Sequence, residues 1–301
     1  MSKKRFHRVA VLMGGPSSER EVSIHSGRAV ARALRGLGYD VEEVDVTSTA
    51  LSLPKGIEAA FVALHGTFGE DGTVQQLLEE QKVPYTGSGA ESSRASFDKV
   101  LSKKLFEKNG IPTPRYEILK SGQVRTLPLP VMVKPPRQGS SIGISKATTE
   151  GEWAAAFRKA LEFDSEILIE AFIDGRELTV GVVGDQVLPV VEIRAPDGQY
   201  NYHAKYTKGV TEYLVPAPID PDIARRCRQI AWQTFVALGC RGMGRVDIRL
   251  TPDGEPFVLE LNNIPGFTET SLLPKAARAA GIAFPQLCEI ILNLAAPDFF
   301  L

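Results

Sequence analysis

The sequence predicts a mixed α/β and α+β protein whose N-terminal part is an open parallel sheet. Three observations carry this. The first third alternates buried strand-like runs with a segment of helical periodicity, which makes a strand-helix-strand unit. Near the other end, Asp253-Gly254 sits between apolar or alternating runs, a strong hairpin signal and hence antiparallel pairing. At 301 residues the chain suggests two or three packed domains with ample core.

Composition narrows the function classes. The apolar share of 43% and charged share of 24% are ordinary for a globular protein, and no apolar stretch is long enough to span a bilayer. With 35 basic against 36 acidic residues, nothing argues for nucleic acid or an anionic membrane as partner. Cys227, Cys240 and Cys288 lack metal-ligand spacing and cannot all pair, so free thiols in a reducing cytosol are the simplest account. The basic start MSKKRFHR and the apolar run after it superficially suggest a signal peptide. That run is too short, and a Gly-rich turn and amphipathic helix follow, so it is a first strand.

In order, RVAVLMGG is a buried strand ending in a Gly-rich loop. Val22, Ala29, Val30, Ala33, Leu34 and Leu37 then share one helical face, Gly38 closes the helix, and VEEVDV is the next strand. Ligands of such units bind at the carboxyl ends of the strands. Gly14-Gly15-Pro16-Ser17-Ser18-Glu19 lacks the glycine spacing of a dinucleotide fingerprint. Glu19 is either a charge favoured by the helix dipole or a ligand contact. AAFVALHG is a strand ending at His65, at the same edge as Glu19. It leads through TFGEDGT into a helix, and VPYTGSG adds a short strand and a Ser/Gly loop. A lone histidine is usually structural, but this placement makes ligand binding an equal alternative.

The middle opens with SRASFDKVLSKKLFEKNG, read as one helix with Phe97, Val100, Leu101 and Leu105 on its apolar side. Pro112 and Pro114 mark a boundary near Arg115. Val131-Met132-Val133-Lys134 is a buried strand ending in a lysine. The loop after it, Arg137-Gln138-Gly139-Ser140-Ser141 with Gly143, is either a plain turn or a nest of amides and hydroxyls for phosphate oxygens. It is not a P-loop, because no Gly-Lys-Ser/Thr follows. EILIEAF and RELTVGVV are two strands, with Glu170 ending one apolar run and Glu177 starting the next.

In the last third, VLPVVEI is a strand. A long polar, aromatic segment around Lys205-Tyr206 has the length of a functional lid. The next helix faces the core with Ile223, Cys227, Ile230, Ala231, Phe235 and Leu238. In the hairpin, Arg245, Asp247 and Arg249 share one face of the first strand, and Glu260 and Asn262 one face of the second. With Asp253 and Gly254 as the central turn residues, Asp247 faces Glu260 and Arg245 faces Asn262. Carboxylates directly opposed repel, unless a hard divalent cation joins them with the Asn262 carbonyl in an oxygen-only set. The alternative is a solvated face of mixed charge. Glu260 sits in the otherwise apolar FVLEL and runs into a Pro-Gly turn, which favours a magnesium site for nucleotide phosphate. Ser271-Leu272 is, by itself, an ordinary helix start. The terminal AFPQLCEIILNLAA is helical.

The succession VLMGGPSSEREVS, ALHGTFGEDGT, YTGSG, VKPPRQGSSIGIS, AKYTKGVTEYLVPA, GRVDIRL and LELNNIPGFTETSLLP resembles the D-alanine–D-alanine ligase family of the ATP-grasp superfamily over nearly the whole chain. Ala171, Asn263 and Phe267 depart from its usual residues, and none of them strikes the proposed chemistry. The resemblance implies an ATP-grasp fold of three domains: a substrate domain over 1–96, a central unit over 97–186, and a C-terminal unit over 187–301 with metal site and lid. It implies a cytoplasmic, dimeric enzyme that joins two D-alanines for peptidoglycan through an acyl phosphate. ATP is the co-substrate, with two Mg²⁺ or Mn²⁺ ions and room for a monovalent cation.

Roles carried over from the family follow. Asp247, Glu260 and Asn262 hold metal, and Lys99, Lys134 and Lys205 attend the phosphates with Gly139, Ser140 and Ser141. Glu170, Ala171, Phe172, Ile173 and Glu177 hold adenine and ribose, and Leu259 also lies at the nucleotide. Glu19, Ser141 and Tyr206 form a bonded set in which Glu19 orients the first substrate's ammonium. His65 lies near that substrate. Arg245 and the Gly266 amide stabilise the oxyanion, and Ser271 with Leu272 receives the second carboxylate. Lys205-Tyr206 is the pattern of dipeptide rather than depsipeptide formers. Rival readings are a ligase for another carboxylate and amine, a nucleotide-binding regulator that has lost catalysis, and a Rossmann oxidoreductase, which the missing glycine fingerprint opposes.

Overall fold

The protein, described by a computed structural model over residues 4–196 and 210–296, is built on three sheets. The first is parallel. Strand β1 (Arg8–Gly14) leads through helix α1 (Arg20–Gly36) to β2 (Asp40–Val46), and β3 (Ala59–Val62) lies on the other side of β1. Val9 to Leu12 are fully buried because helices cover both faces of a parallel sheet. On α1 the buried face is Ser23, Ser26, Ala29, Val30 and Leu34, so two serines stand where an apolar stripe is expected. Helix α2 (Thr73–Glu80) follows, and Tyr85 adds isolated bridges to Ala60 and Ala296 rather than a strand.

The helix expected over 93–110 is two helices, α3 (Ala90–Phe97) and α4 (Lys99–Lys108). Asp98 breaks it. Its backbone turns extended (ψ 106°) and its carboxylate accepts from the Val100 and Leu101 amides, capping α4. Of the apolar side expected there, Val100 is buried and Leu105 packs on the core, but Leu101 is exposed, and Lys99, Lys103 and Phe106 are buried as well.

The second sheet is antiparallel, with β4 (Tyr116–Lys120), β5 (Val131–Lys134), β6 (Ser145–Ala147) and β7 (Glu166–Ala171) in the order β4-β7-β5-β6. Helix α5 (Glu150–Leu161) covers it, packing Ala156 and Ala160 on Val131, Val133, Ile167 and Ile169.

The third sheet comprises β8 (Arg176–Val183), β9 (Gln186–Val187), β10 (Val191–Arg194), β11 (Glu212–Leu214), β12 (Met243–Leu250) and β13 (Pro256–Asn262). Its order is β11-β10-β8-β12-β13, with β9 paired to β8. Strand β8 is central here, although it is expected to share a unit with residues 97–175. Leu178, Val180 and Val182 pack beneath helix α6 (Pro221–Ala237), against Cys227, Ala231 and Phe235. The opposite face meets α7 (Leu272–Ala279) and α8 (Phe284–Asn293). Those two helices continue into the core of the first sheet. One core therefore joins the first and third sheets, and residues from both ends of the chain face one cleft.

The hairpin departs from its expected geometry twice, and the departures cancel. Its turn holds three residues, Pro252 to Gly254, between Thr251 and Glu255, whose backbones bond at 3.0 Å. Gly254 takes the left-handed conformation (φ 82°) that such a loop requires. This moves the ladder by one, so that Ile248 pairs with Val258. A β-bulge then leaves Leu259 without a partner, and beyond it Asp247 faces Glu260 and Arg245 faces Asn262. The bulge also reverses the strand's faces. Val258 and Leu261 both enter the core, and Glu260 and Asn262 turn outward together.

Candidate active site

A cleft of about 340 Å³ lies where the carboxyl edge of the first sheet meets the β12–β13 hairpin. It gathers eleven of the residues singled out by sequence: Glu19, His65, Lys99, Gly139, Ser140, Arg245, Glu260, Asn262, Gly266, Ser271 and Leu272.

The first sheet supplies Glu19 and His65. Glu19 stands at the N-cap of α1 but makes no side-chain cap bond. Its carboxylate is aimed at the glycine loop, so close to Gly139 that a Cβ there would lie 2.6 Å from Oε1. Ser17 braces the turn by donating to the His65 carbonyl at 2.6 Å. His65 is buried and held at both nitrogens. Nδ1 lies 3.0 Å from the Ile264 carbonyl, which can only accept, so Nδ1 carries a proton. Nε2 lies 2.9 Å from Ser26 Oγ, which in turn accepts from the Phe267 amide. Glu70 completes the group, 3.6 Å from His65 Nδ1. Burial pushes the Glu70 carboxyl up, the nearby negative charge of Glu19 adds to this, and His65 opposes it.

Sequence reading missed Ser26 and Glu70. Ser26 carries a signal, being a polar residue on the stripe of α1 that must face the sheet. For Glu70, the pattern around His65 holds no hint of burial.

Lys99, at the first position of α4, donates to the Gln138 carbonyl at 2.9 Å and pairs with Glu260 at 3.2 Å. It therefore ties the glycine-serine loop to the hairpin. In that loop Ser140 and Ser141 both adopt positive φ, 48° and 61°, which is costly for non-glycine residues and common at ligand-binding turns. Behind it, Lys134 and Lys103 both pair with Glu170. Burial alone would raise the Glu170 carboxyl, but the two ammonium groups outweigh it and hold it at about 2.

On the hairpin, Arg245 grips Asp247 with two bonds, 2.9 and 2.8 Å, and Thr179 donates to the same carboxylate at 2.6 Å. The repulsion expected between Asp247 and Glu260 is thus already met by side-chain cations, Arg245 on one and Lys99 on the other. Asp247 and Glu260 still stand on opposed register positions beside Asn262, whose Oδ1 accepts from the Ile264 amide at 3.1 Å, and all three carry oxygen donors of the kind Mg²⁺ takes. Among the described residues no cluster of three acidic, histidine or cysteine side chains offers a competing metal site.

Beyond the hairpin, Gly266 lines the cleft and Ser271 stands at the N-cap of α7. Its hydroxyl does not cap the helix. It accepts from the Thr268 amide at 3.0 Å and lies 2.9 Å from Thr268 Oγ1, leaving the helix N-terminus turned to the cleft. That is a ready seat for a carboxylate.

The remaining residues singled out do not line this cleft. Asp247 and Leu259 lie beside it on the hairpin. Ser141 follows Gly139 and Ser140 in the loop, of which Gly139 lies against Glu19. Lys134, Glu170, Ala171, Phe172, Ile173 and Glu177 lie around the ends of β5 and β7 and the start of β8. There the Phe172 ring is covered by the Lys146 ammonium at 3.6 Å, and Glu177 pairs with Arg249 at 3.0 Å. Lys205 and Tyr206 lie outside the described residues.

Comparison with known proteins gives one answer. Residues 103–293 match the family model described as D-ala D-ala ligase C-terminus, and residues 45–88 that of the D-ala D-ala ligase N-terminus. The D-alanine–D-alanine ligase of Methylacidiphilum infernorum is 48% identical over 286 residues, 95% of this chain and 94% of that protein. That of Syntrophotalea carbinolica is 49% identical over 290 residues, 95% of each chain. Among solved structures, the Bacillus anthracis D-alanine–D-alanine ligase complexed with ATP superposes with a TM-score of 0.85 at 34% identity, covering 96% of this chain and 97% of that one. The VanG D-Ala:D-Ser ligase of Enterococcus faecalis reaches the same TM-score at 30% identity, covering 96% and 99%.

Proposed function

The chain belongs to the D-alanine–D-alanine ligase family, and from that membership we propose how its cleft works. The protein is an ATP-dependent carboxylate–amine ligase of ATP-grasp fold that joins two D-alanines for peptidoglycan synthesis. The carboxylate of the first D-alanine attacks the γ-phosphate of ATP and releases ADP. The amine of the second then attacks the acyl phosphate, and phosphate leaves. One observation carries the assignment of residues: anion-seeking and ammonium-seeking groups from the first and third sheets and from α4 converge on a single cleft.

An anionic nucleophile must approach a polyanionic triphosphate, so the site has to supply positive charge where negative charge develops. In our reading Lys99 and Lys134 attend the phosphates, and the loop amides at Gly139, Ser140 and Ser141 wrap them. Asp247, Glu260 and Asn262 would hold magnesium, which supplies charge neutralisation and orientation of the terminal phosphate when bound. Glu19 takes the first substrate's ammonium, and His65, locked by Ser26 and Ile264, shapes the wall beside it. Arg245 and the Gly266 amide face the developing oxyanion. Ser271 and the α7 N-terminus receive the carboxylate of the second D-alanine. Glu170, Ala171, Phe172, Ile173, Glu177 and Leu259 form the nucleotide's seat. Lys205 and Tyr206 serve the phosphates and the lid, whose closure keeps water from the acyl phosphate.

We also propose a cytoplasmic homodimer using two Mg²⁺ or Mn²⁺ ions, with a place for a monovalent cation, and three domains, for which the pairing of β8 within the third sheet moves the second boundary from 186/187 to about residue 175. No helix among the described residues is long and apolar enough to cross a membrane.

The decisive assay follows phosphate release and product together. ATP should be consumed only with D-alanine and yield D-alanyl-D-alanine. Consumption with D-serine or another amino acid alone would move the substrate assignment elsewhere in the superfamily.

A further inference from the structure

Lys103 is a buried cation that none of the roles above employs. It lies one turn beyond Lys99 on α4, hence on the same helix face, but points past the cleft to the end of β7. It is 1% exposed, as is Glu170, its partner. Glu170 bridges two ammonium groups, with Oε1 toward Lys103 and Oε2 toward Lys134. Lys103 also donates to Thr113, whose hydroxyl donates to the Val258 carbonyl at 2.7 Å, and its ammonium lies 5.9 Å from the centre of the Tyr116 ring.

Counting charges shows what Lys103 changes. Lys134 with Glu170 alone would be a neutral pair, and a phosphate approaching Lys134 would meet a carboxylate just behind it. With Lys103 present the buried group carries one surplus positive charge. Surplus charge in a dry place is costly until an anion arrives, so the arrangement favours anion binding at its less enclosed end, Lys134, whose side chain keeps 9% exposure against 1% for Lys103. Lys103 itself is too enclosed to touch that anion.

We propose that Lys103 is a positioning residue of the nucleotide site: by neutralising Glu170 it leaves the full charge of Lys134 to the nucleotide phosphates. This rests on the reading of Lys134 as a phosphate lysine. The competing account is structural, with Lys103 only tying α4 to β7 and β13.

The test measures binding of ADP with Mg²⁺, and of adenosine, to the full-length protein by calorimetry. The ratio of the two affinities reports the phosphates and cancels any change at the base. Lys103→Met should lower that ratio about tenfold, the scale of a charge-assisted phosphate contact. The double variant Lys103→Met/Glu170→Gln removes the carboxylate that Lys103 neutralises, so its ratio should return to within about threefold of wild type. An unchanged ratio in Lys103→Met overturns the proposal, and so does a double variant as impaired as the single one, since a mere tie would not be mended by a second lesion. If Lys103→Met does not fold, the charge-balanced double variant decides by itself against Lys134→Met. A ratio as low as in Lys134→Met overturns the proposal, and one near wild type supports it. Should Lys134→Met bind ADP normally, the phosphate reading of Lys134 falls and takes this proposal with it. A weak Lys134→Met beside a normal Lys103→Met removes the proposal alone.

Discussion

Gly139→Ala tests how the glycine loop and the first sheet jointly place Glu19. An added Cβ would sit 2.6 Å from Glu19 Oε1, and its next contacts, at 3.8 and 4.0 Å, are ordinary. Gly139 has no positive φ, so alanine brings no backbone strain. The clash falls on the tip of a flexible carboxylate, which must retreat about 0.8 Å to reach ordinary contact. The fold should barely notice, with a change in stability below about 0.5 kcal/mol. Catalysis should notice, because misplacing a substrate-orienting group by about 1 Å can cost on the order of 10²-fold. We expect kcat/KM for D-alanine to fall roughly 10- to 100-fold, or about 1.4 to 2.7 kcal/mol. The KM for ATP should stay within about twofold, since alanine keeps the Gly139 backbone amide assigned to the phosphates and its added Cβ presses only on Glu19. The assay is initial-rate kinetics in each substrate beside a thermal melt. A normal KM and kcat for D-alanine in a folded variant would show that Glu19 does not orient the substrate from this position.

Further outcomes follow from the same geometry. Glu260→Gln should reduce turnover by at least about 10²-fold and weaken Mn²⁺ binding measured by paramagnetic resonance; near-normal values of both would remove Glu260 from the metal set. Asp98→Ala deletes the cap of α4 and should cost about 1 kcal/mol in urea unfolding, with a raised KM for ATP because Lys99 begins that helix; an unchanged midpoint would refute the capping role. Glu70 has its carboxyl raised by burial, so the folded protein holds a proton there that the unfolded chain releases above its ordinary value of 4.5. The stability this contributes is complete below that value and is lost as pH rises through the folded pKa. Glu70→Gln should therefore melt at a temperature that gains on wild type as pH goes from acid to neutral. A constant difference across that range would mean the carboxyl titrates normally.

Much of the fold was legible because its signals are local. Strand β1, helix α1 and helix α6 follow from unbroken apolar periodicity, and Asp220-Pro221 marks the start of α6 with a capping carboxylate and a first-turn proline. Asp98 was misread since a side chain that caps a helix looks, in sequence, like any polar residue on an exposed face. The pairing of Asp247 with Glu260 in the hairpin came out as expected through two compensating errors, a turn one residue longer than expected and a bulge that restores the count. Period two predicts which residues share a face only while the ladder is regular, and one bulge inverts it.

Chemistry-bearing residue types and their order along the chain were determined by sequence alone, together with the strands and helices that carry them and the likeness to one family. Tertiary structure decided who meets whom: Glu70 beneath His65, Ser26 between His65 and the Phe267 amide, Arg245 and Lys99 on the two hairpin carboxylates, and Lys103 behind Glu170 and Lys134. These contacts join residues as far as 241 positions apart. Burial and charge pairing act through space, whereas periodicity and capping act along the chain, so only the second kind can be read before the chain is folded.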